Sequence, residues 1–169
     1  MGLLDRIRGR GVDDPGAGDP DDASDGGAFD GGAPDGVEPV EEVGVRRPSP
    51  EEEAVLDAAR AEYAAHGIRP EDLASIAAAY EGALAAHDEA ADASGVVAVI
   101  GAAIGDHLVA TAGYRWVVST DPFGTDLAVE PPRRGIPVVT RMLVAVRWMG
   151  RESGWVEGVT AHLARAGRG

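Results

Sequence analysis

No cysteine, lysine, asparagine or glutamine occurs in the 169 residues, and each absence removes a class of chemistry. Without cysteine there is no disulfide framework, no thiolate nucleophile and no cysteine-held zinc. Without lysine there is no Schiff-base enzyme and no phosphate-loop lysine. Aromatic side chains are scarce as well, at three Trp, three Tyr and two Phe. Alanine supplies 30 of the apolar residues. Small side chains bury little area each, so the core must come from close helix packing around a few large anchors. Positive charge is also in short supply: 15 basic residues, all Arg, face 29 carboxylates, for a net charge of −14. A chain so acidic is a poor partner for a phosphate backbone, so no nucleic acid is expected. Abundant Ala, Gly and Arg without Lys, Asn or Gln point to a GC-rich bacterial genome.

Composition divides the chain into three parts. Residues 1–10 (MGLLDRIRGR) place Leu3, Leu4 and Ile7 on one helical face with arginines around the rest. This is a short amphipathic segment, suited to an interface or a partner. Ten residues make a marginal helix, and attachment to a membrane through them is a secondary reading. Residues 11–48 are Gly-, Pro- and Asp-rich, with 11 carboxylates and no basic residue between Gly11 and Val45. That composition reads as a disordered acidic linker. Residues 49–169 carry the periodic patterns of one folded domain. No secretory apolar run and no myristoylation signal is present, so a cytoplasmic location is expected.

Ser49-Pro50-Glu51-Glu52 offers a cap, a proline at the first helical position and a capping-box glutamate. Leu56, Ala59 and Tyr63 line one face of that helix until Gly67. Pro70-Glu71-Asp72 opens a second helix with Leu73, Ile76, Ala77, Tyr80 and Leu84 inward. The two are expected to form an antiparallel pair. Val96 to Gly105 is apolar all round, which describes a short buried helix rather than a bilayer span. Gly101 and Gly105 share one face there and admit a close neighbour.

Tyr114, Trp116, Val118 and Thr120 alternate with polar and smaller residues, and Asp121-Pro122-Phe123-Gly124 supplies a type I turn. Leu127 and Val129 continue on a return strand. Ile136 to Val139 reads either as a third strand or as the lead into a short helix from Thr140 to Met149. Ser153 is expected to cap a last helix with Trp155, Val156, Val159 and Leu163 inward and Gly167 after its end. The fold class is therefore α+β: a helical layer on a small antiparallel sheet of two or three strands, preceded by a disordered acidic arm.

No metal-ligand spacing and no cofactor motif appears among His66, His87, His107 and His162 or elsewhere. His107 with Asp106 or Asp121 is the one base-and-carboxylate combination to weigh, and it carries a hydrolase or ligand-binding reading as the alternative. The leading expectation is a non-enzymatic interaction or regulatory domain with a protein partner. Its charge asymmetry carries this: residues 49–92 sum to −9, whereas residues 93–169 hold 8 Arg against 6 acids. Arg133, Arg134, Arg141, Arg147 and Arg151, with Trp148, are the candidate partner surface.

Val99-Ile-Gly-Ala-Ala-Ile-Gly-Asp-His, Gly113-Tyr-Arg-Trp and Gly124-Thr-Asp-Leu together resemble a group of small bacterial domains of unknown function. In those, a Gly-x-x-x-Gly helix leads into a Gly-x-x-Trp β-hairpin. The resemblance spans roughly Pro50 to Arg151 and implies an α+β fold. It also implies that Gly101, Gly105, Trp116 and Gly124 are structural positions, and it carries no catalytic residue.

Overall fold

The computed structural model describes residues 44–88, 91–122, 124–133 and 135–168. The amphipathic segment 1–10 and the acidic stretch as far as residue 43 lie outside them. The described chain runs β1 (Gly44–Arg46), α1 (Pro50–Ala61), α2 (Leu73–Ala86), α3 (Ser94–Ala112), β2 (Arg115–Asp121), β3 (Gly124–Glu130), α4 (Thr140–Met149) and α5 (Val156–Arg168). The three strands form an antiparallel sheet in the order β1-β2-β3. The fold is the expected α+β arrangement of helices on a small antiparallel sheet.

Local chemistry explains where the helices start. Ser49 accepts the Glu52 N–H at 3.3 Å while Glu52 accepts the Ser49 N–H at 2.8 Å, a closed capping box ahead of Pro50. Asp72 caps α2 through the Ala74 N–H at 3.1 Å. Gly113 ends α3 with a φ of +73°, the left-handed conformation that only glycine adopts freely. Helix α3 is the centre of the molecule: α1, α2, α4, α5, β2 and β3 all pack on it. Ile100, Ile104 and Leu108 on α3 are wholly buried, together with Ile76 and Tyr80 from α2, Val129 from β3 and Val144 from α4. By length and composition α3 is apolar enough to cross a bilayer. Here that apolar surface serves as the core of the domain.

Several expectations are corrected. Gly44–Arg46, assigned to the linker, are a strand: Val45 pairs with Ser119 and Arg46 with Val118. A three-residue strand has too little pattern to stand out from an acidic Gly/Pro stretch, and the partner strand selects it. Helices α1 and α2 do not form a close antiparallel pair; each packs on α3. The third helix does not stop at ten residues but runs for 19, through Asp106 and His107. Of the two readings of Ile136 to Val139, the lead into a helix holds: Val138 makes a single bridge to Val129 and α4 then runs over the expected Thr140–Met149. Helix α5 starts at Val156 rather than after a Ser153 cap, and it buries Val156, Thr160, Ala164 and Gly167. Gly167 is inside the helix because the Tyr114 ring lies against it; a Cβ there would meet that ring at 2.5 Å.

Candidate functional site

The polar centre of the fold is Asp106. Its Oδ1 accepts from Arg60 Nη2 at 2.7 Å and Trp116 Nε1 at 2.8 Å. Its Oδ2 accepts from Arg60 Nε at 2.9 Å and the Tyr63 hydroxyl at 3.0 Å. Burial alone would raise its pKa, but the bonds from Arg60 and Trp116 outweigh that and hold it below the ordinary carboxylate value. Burial, and then the charge of Asp106, push the Tyr63 hydroxyl upward. The result is a fixed anion with both oxygens occupied. It joins α1, the turn after α1, α3 and β2, and it has no free lone pair in position for proton transfer.

The geometry also explains the two glycines. A Cβ on Gly105 would stand 2.2 Å from the Trp116 ring, so Gly105 is the bed on which that indole reaches Asp106. A Cβ on Gly101 would stand 2.8 Å from the Arg141 Cα, so Gly101 lets the first turn of α4 press on α3. Gly124, at a φ of +147°, opens β3 and donates its N–H to the Asp121 carboxylate at 3.1 Å.

His107 faces a different partner from its neighbour Asp106. Its Nδ1 lies 2.8 Å from the Pro70 carbonyl, which fixes Nδ1 as the protonated nitrogen and ties α3 to the entry of α2. The ring is nearly buried, and no carboxylate is hydrogen-bonded to it among the described residues. Asp106 is committed to Arg60, Tyr63 and Trp116, and Asp121 sits at the hairpin turn. The structure does not assemble these three into one site.

The arginines are likewise dispersed. Arg133 donates to the Arg168 carbonyl at 3.0 Å, Arg141 to Asp126 at 3.2 Å and Arg151 to the Leu84 carbonyl at 3.3 Å. Arg147 donates to the Leu143 carbonyl, with its guanidinium 4.7 Å from the centre of the Trp155 ring. Arg134 lies outside the described residues. Trp148, expected on a partner surface, is 7% exposed and stacks edge-on against Tyr80 and His87. It is a core residue, because the helical register of α4 turns Thr140, Val144 and Trp148 inward together.

That register puts other residues outside. Met142, Val146 and Met149 are 51%, 49% and 76% exposed at spacings of four and three along α4. Sequence reasoning missed this stripe because its segment was ambiguous; read as a helix, the spacing itself is the signal. A hollow of about 280 Å³ beside it is floored by Val97, Ala145 and Trp148. Two further spaces flank α1. One, of about 760 Å³, lies toward β1 and carries Arg46, Arg47 and Arg115 with Glu53 and Asp57. The other, of about 340 Å³, lies between α1, α3 and the inner face of the sheet. Among the described residues no three His, Asp or Glu side chains are grouped to hold a metal ion.

No curated protein and no solved structure matches the chain. Residues 72–157 run from the cap of α2 to the first turn of α5 and so contain α3, the hairpin and α4. They match the family described as "Domain of unknown function (DUF3806)", and the chain belongs to that family.

Proposed function

We propose that this domain is a non-enzymatic protein-interaction module, and that the outward face of α4 is its contact surface. One observation carries the reading: Met142, Val146 and Met149 form an exposed apolar stripe on a helix whose opposite side is firmly buried. A contiguous patch of large apolar side chains marks a contact site, and methionine adapts to a partner's shape. The partner is an amphipathic helix with an acidic flank. Its apolar side lies along the stripe and the hollow beside Trp148, in the manner of a helix in a groove. Its carboxylates meet Arg141, since α4 contains two arginines and no acid.

The test is a photoactivated cross-linker at position 149 in the full-length protein inside cells. The expected product is one adduct whose cross-linked peptide is acidic and amphipathic. It should disappear in a Val146→Glu variant that melts within about 1 kcal/mol of the parent, as an exposed substitution does. Adducts to a second copy of the chain, or adducts that survive Val146→Glu, overturn the reading.

A further inference from the structure

Sulfur is unevenly placed in this chain. There is no cysteine, and there are three methionines. Met1 lies outside the described residues, while Met142 and Met149 both stand on the outward side of α4. Seven residues is about two helical turns, so the two share one face, with Val146 between them. Met142 is 51% exposed, and Met149, the last residue of the helix, is 76% exposed. Both also line the hollow floored by Val97, Ala145 and Trp148.

These thioethers are the groups that an oxidant reaches first. The side chains of Trp148, Trp155 and the three tyrosines are buried, and the Trp116 indole is tied to Asp106. A thioether sulfur attacks one oxygen of a peroxide: an S–O bond forms and the O–O bond breaks. The departing hydroxide takes the proton left on the transferred oxygen and becomes water. Sulfur loses two electrons and the peroxide gains them, which leaves a polar sulfoxide in place of an apolar group.

We infer that Met142 and Met149 form a reversible oxidation switch of the α4 contact face, an inference that rests on the reading of that face as the partner's site. Sulfoxides at both positions place S=O groups in the walls of the hollow. An apolar side chain seated there offers them no hydrogen-bond donor, so each oxygen is desolvated without compensation. Thr140, Val144 and Trp148 on the core side of α4 are untouched, so the domain stays folded. A seated partner covers both sulfurs, and the oxidant therefore acts on the free module. Reduction restores the face: a reductase's thiol pair becomes a disulfide, and the sulfoxide oxygen leaves as water.

The test treats the full-length protein with hydrogen peroxide and follows it by peptide mass spectrometry, melting temperature and retention on a phenyl hydrophobic-interaction column. Met149 should oxidise within about threefold of the rate of N-acetylmethionine amide, and Met142 within about tenfold, as accessible thioethers do. The melting temperature should move by less than about 3 °C, as for a change at an exposed site, while column retention falls. Methionine sulfoxide reductases of both epimer specificities should return it. With an apolar photo-cross-linker at position 146, the yield of the acidic amphipathic adduct should drop about tenfold or more on oxidation and recover on reduction. The Met142→Leu/Met149→Leu double variant, whatever its own starting retention and yield, should show no response to peroxide in either readout. Protection of both sulfurs in the native protein, unfolding on oxidation, or an equal peroxide response in the double variant overturns the inference. An adduct that survives complete oxidation of both sulfurs overturns the switch and leaves the contact face standing. No adduct from untreated protein overturns both.

Discussion

At the scale of single residues the decisive quantity is space. Gly105 and Gly82 are both helical glycines, yet adding one methyl group has opposite consequences. A Cβ at 105 meets the Trp116 ring at 2.2 and 2.4 Å, and that ring cannot retreat without giving up its bond to Asp106. At 82 a Cβ meets nothing within 4 Å. Gly105→Ala should therefore destabilise the domain by about 1–3 kcal/mol through overpacking. Gly82→Ala should stabilise it by about 0.5–1 kcal/mol, the ordinary gain of alanine over glycine in a helix. Urea midpoints of the two variants beside the parent decide both. The sequence marks Gly101 and Gly105 as a close-packing pair. What it does not show is that one faces a helix backbone and the other an indole, since that depends on where α4 and β2 return to α3.

At the scale of elements, α1 is held at its ends more than along its length. The capping box and the Arg46 clamp secure its first turn, and Arg60 secures its last turn to Asp106. Ser49→Ala removes the acceptor for the Glu52 N–H and should cost about 1 kcal/mol, with the loss of amide protection concentrated in α1. Arg46→Ala opens a solvent-screened, exposed pair and should cost less than loss of the cap. Hydrogen exchange measured on both variants tests this ranking, and equal losses would mean that the clamp rather than the cap sets the first turn. The cap was legible in Ser49-Pro50-Glu51-Glu52 because its partners are three residues apart. The clamp was not, since Arg46 stood in a stretch that reads as linker.

At the scale of the whole molecule, the long-range network around Asp106 governs the response to pH. Its folded pKa is lowered, so its stabilisation is fully present above the unfolded carboxylate value of about 4. It is lost as pH falls through the folded value. Glu52, lowered to about 2 by its bonds from Arg46 and the Ser49 N–H, acts in the same direction. Tyr63 acts at the other limit: its raised pKa contributes stability below about pH 10 that fades in stronger alkali. Denaturant titrations should show a plateau between these limits and a decline on the acid side. Asp106→Asn should lower the plateau by about 2–3 kcal/mol, discounted because Arg60 is 37% exposed, and should flatten the acid decline. An unchanged acid slope in that variant would remove Asp106 from this role.

What the sequence by itself determined is everything carried by neighbours within a few residues. The caps of α1 and α2, the buried character of α3, the turn between β2 and β3 and the α+β class all follow from local spacing and from the choice of Ser, Asp, Pro and Gly. The tertiary structure decided what required two distant segments to meet. It recruited Gly44–Arg46 as a strand because β2 offered an open edge. It sent Asp106 to Arg60 and Tyr63, and His107 to the Pro70 carbonyl, because successive residues on a helix point about 100° apart. It turned Trp148 inward and Met142, Val146 and Met149 outward once α4 settled on Gly101. Local pattern fixes which residues can form an element, and only packing fixes which side of that element faces the core.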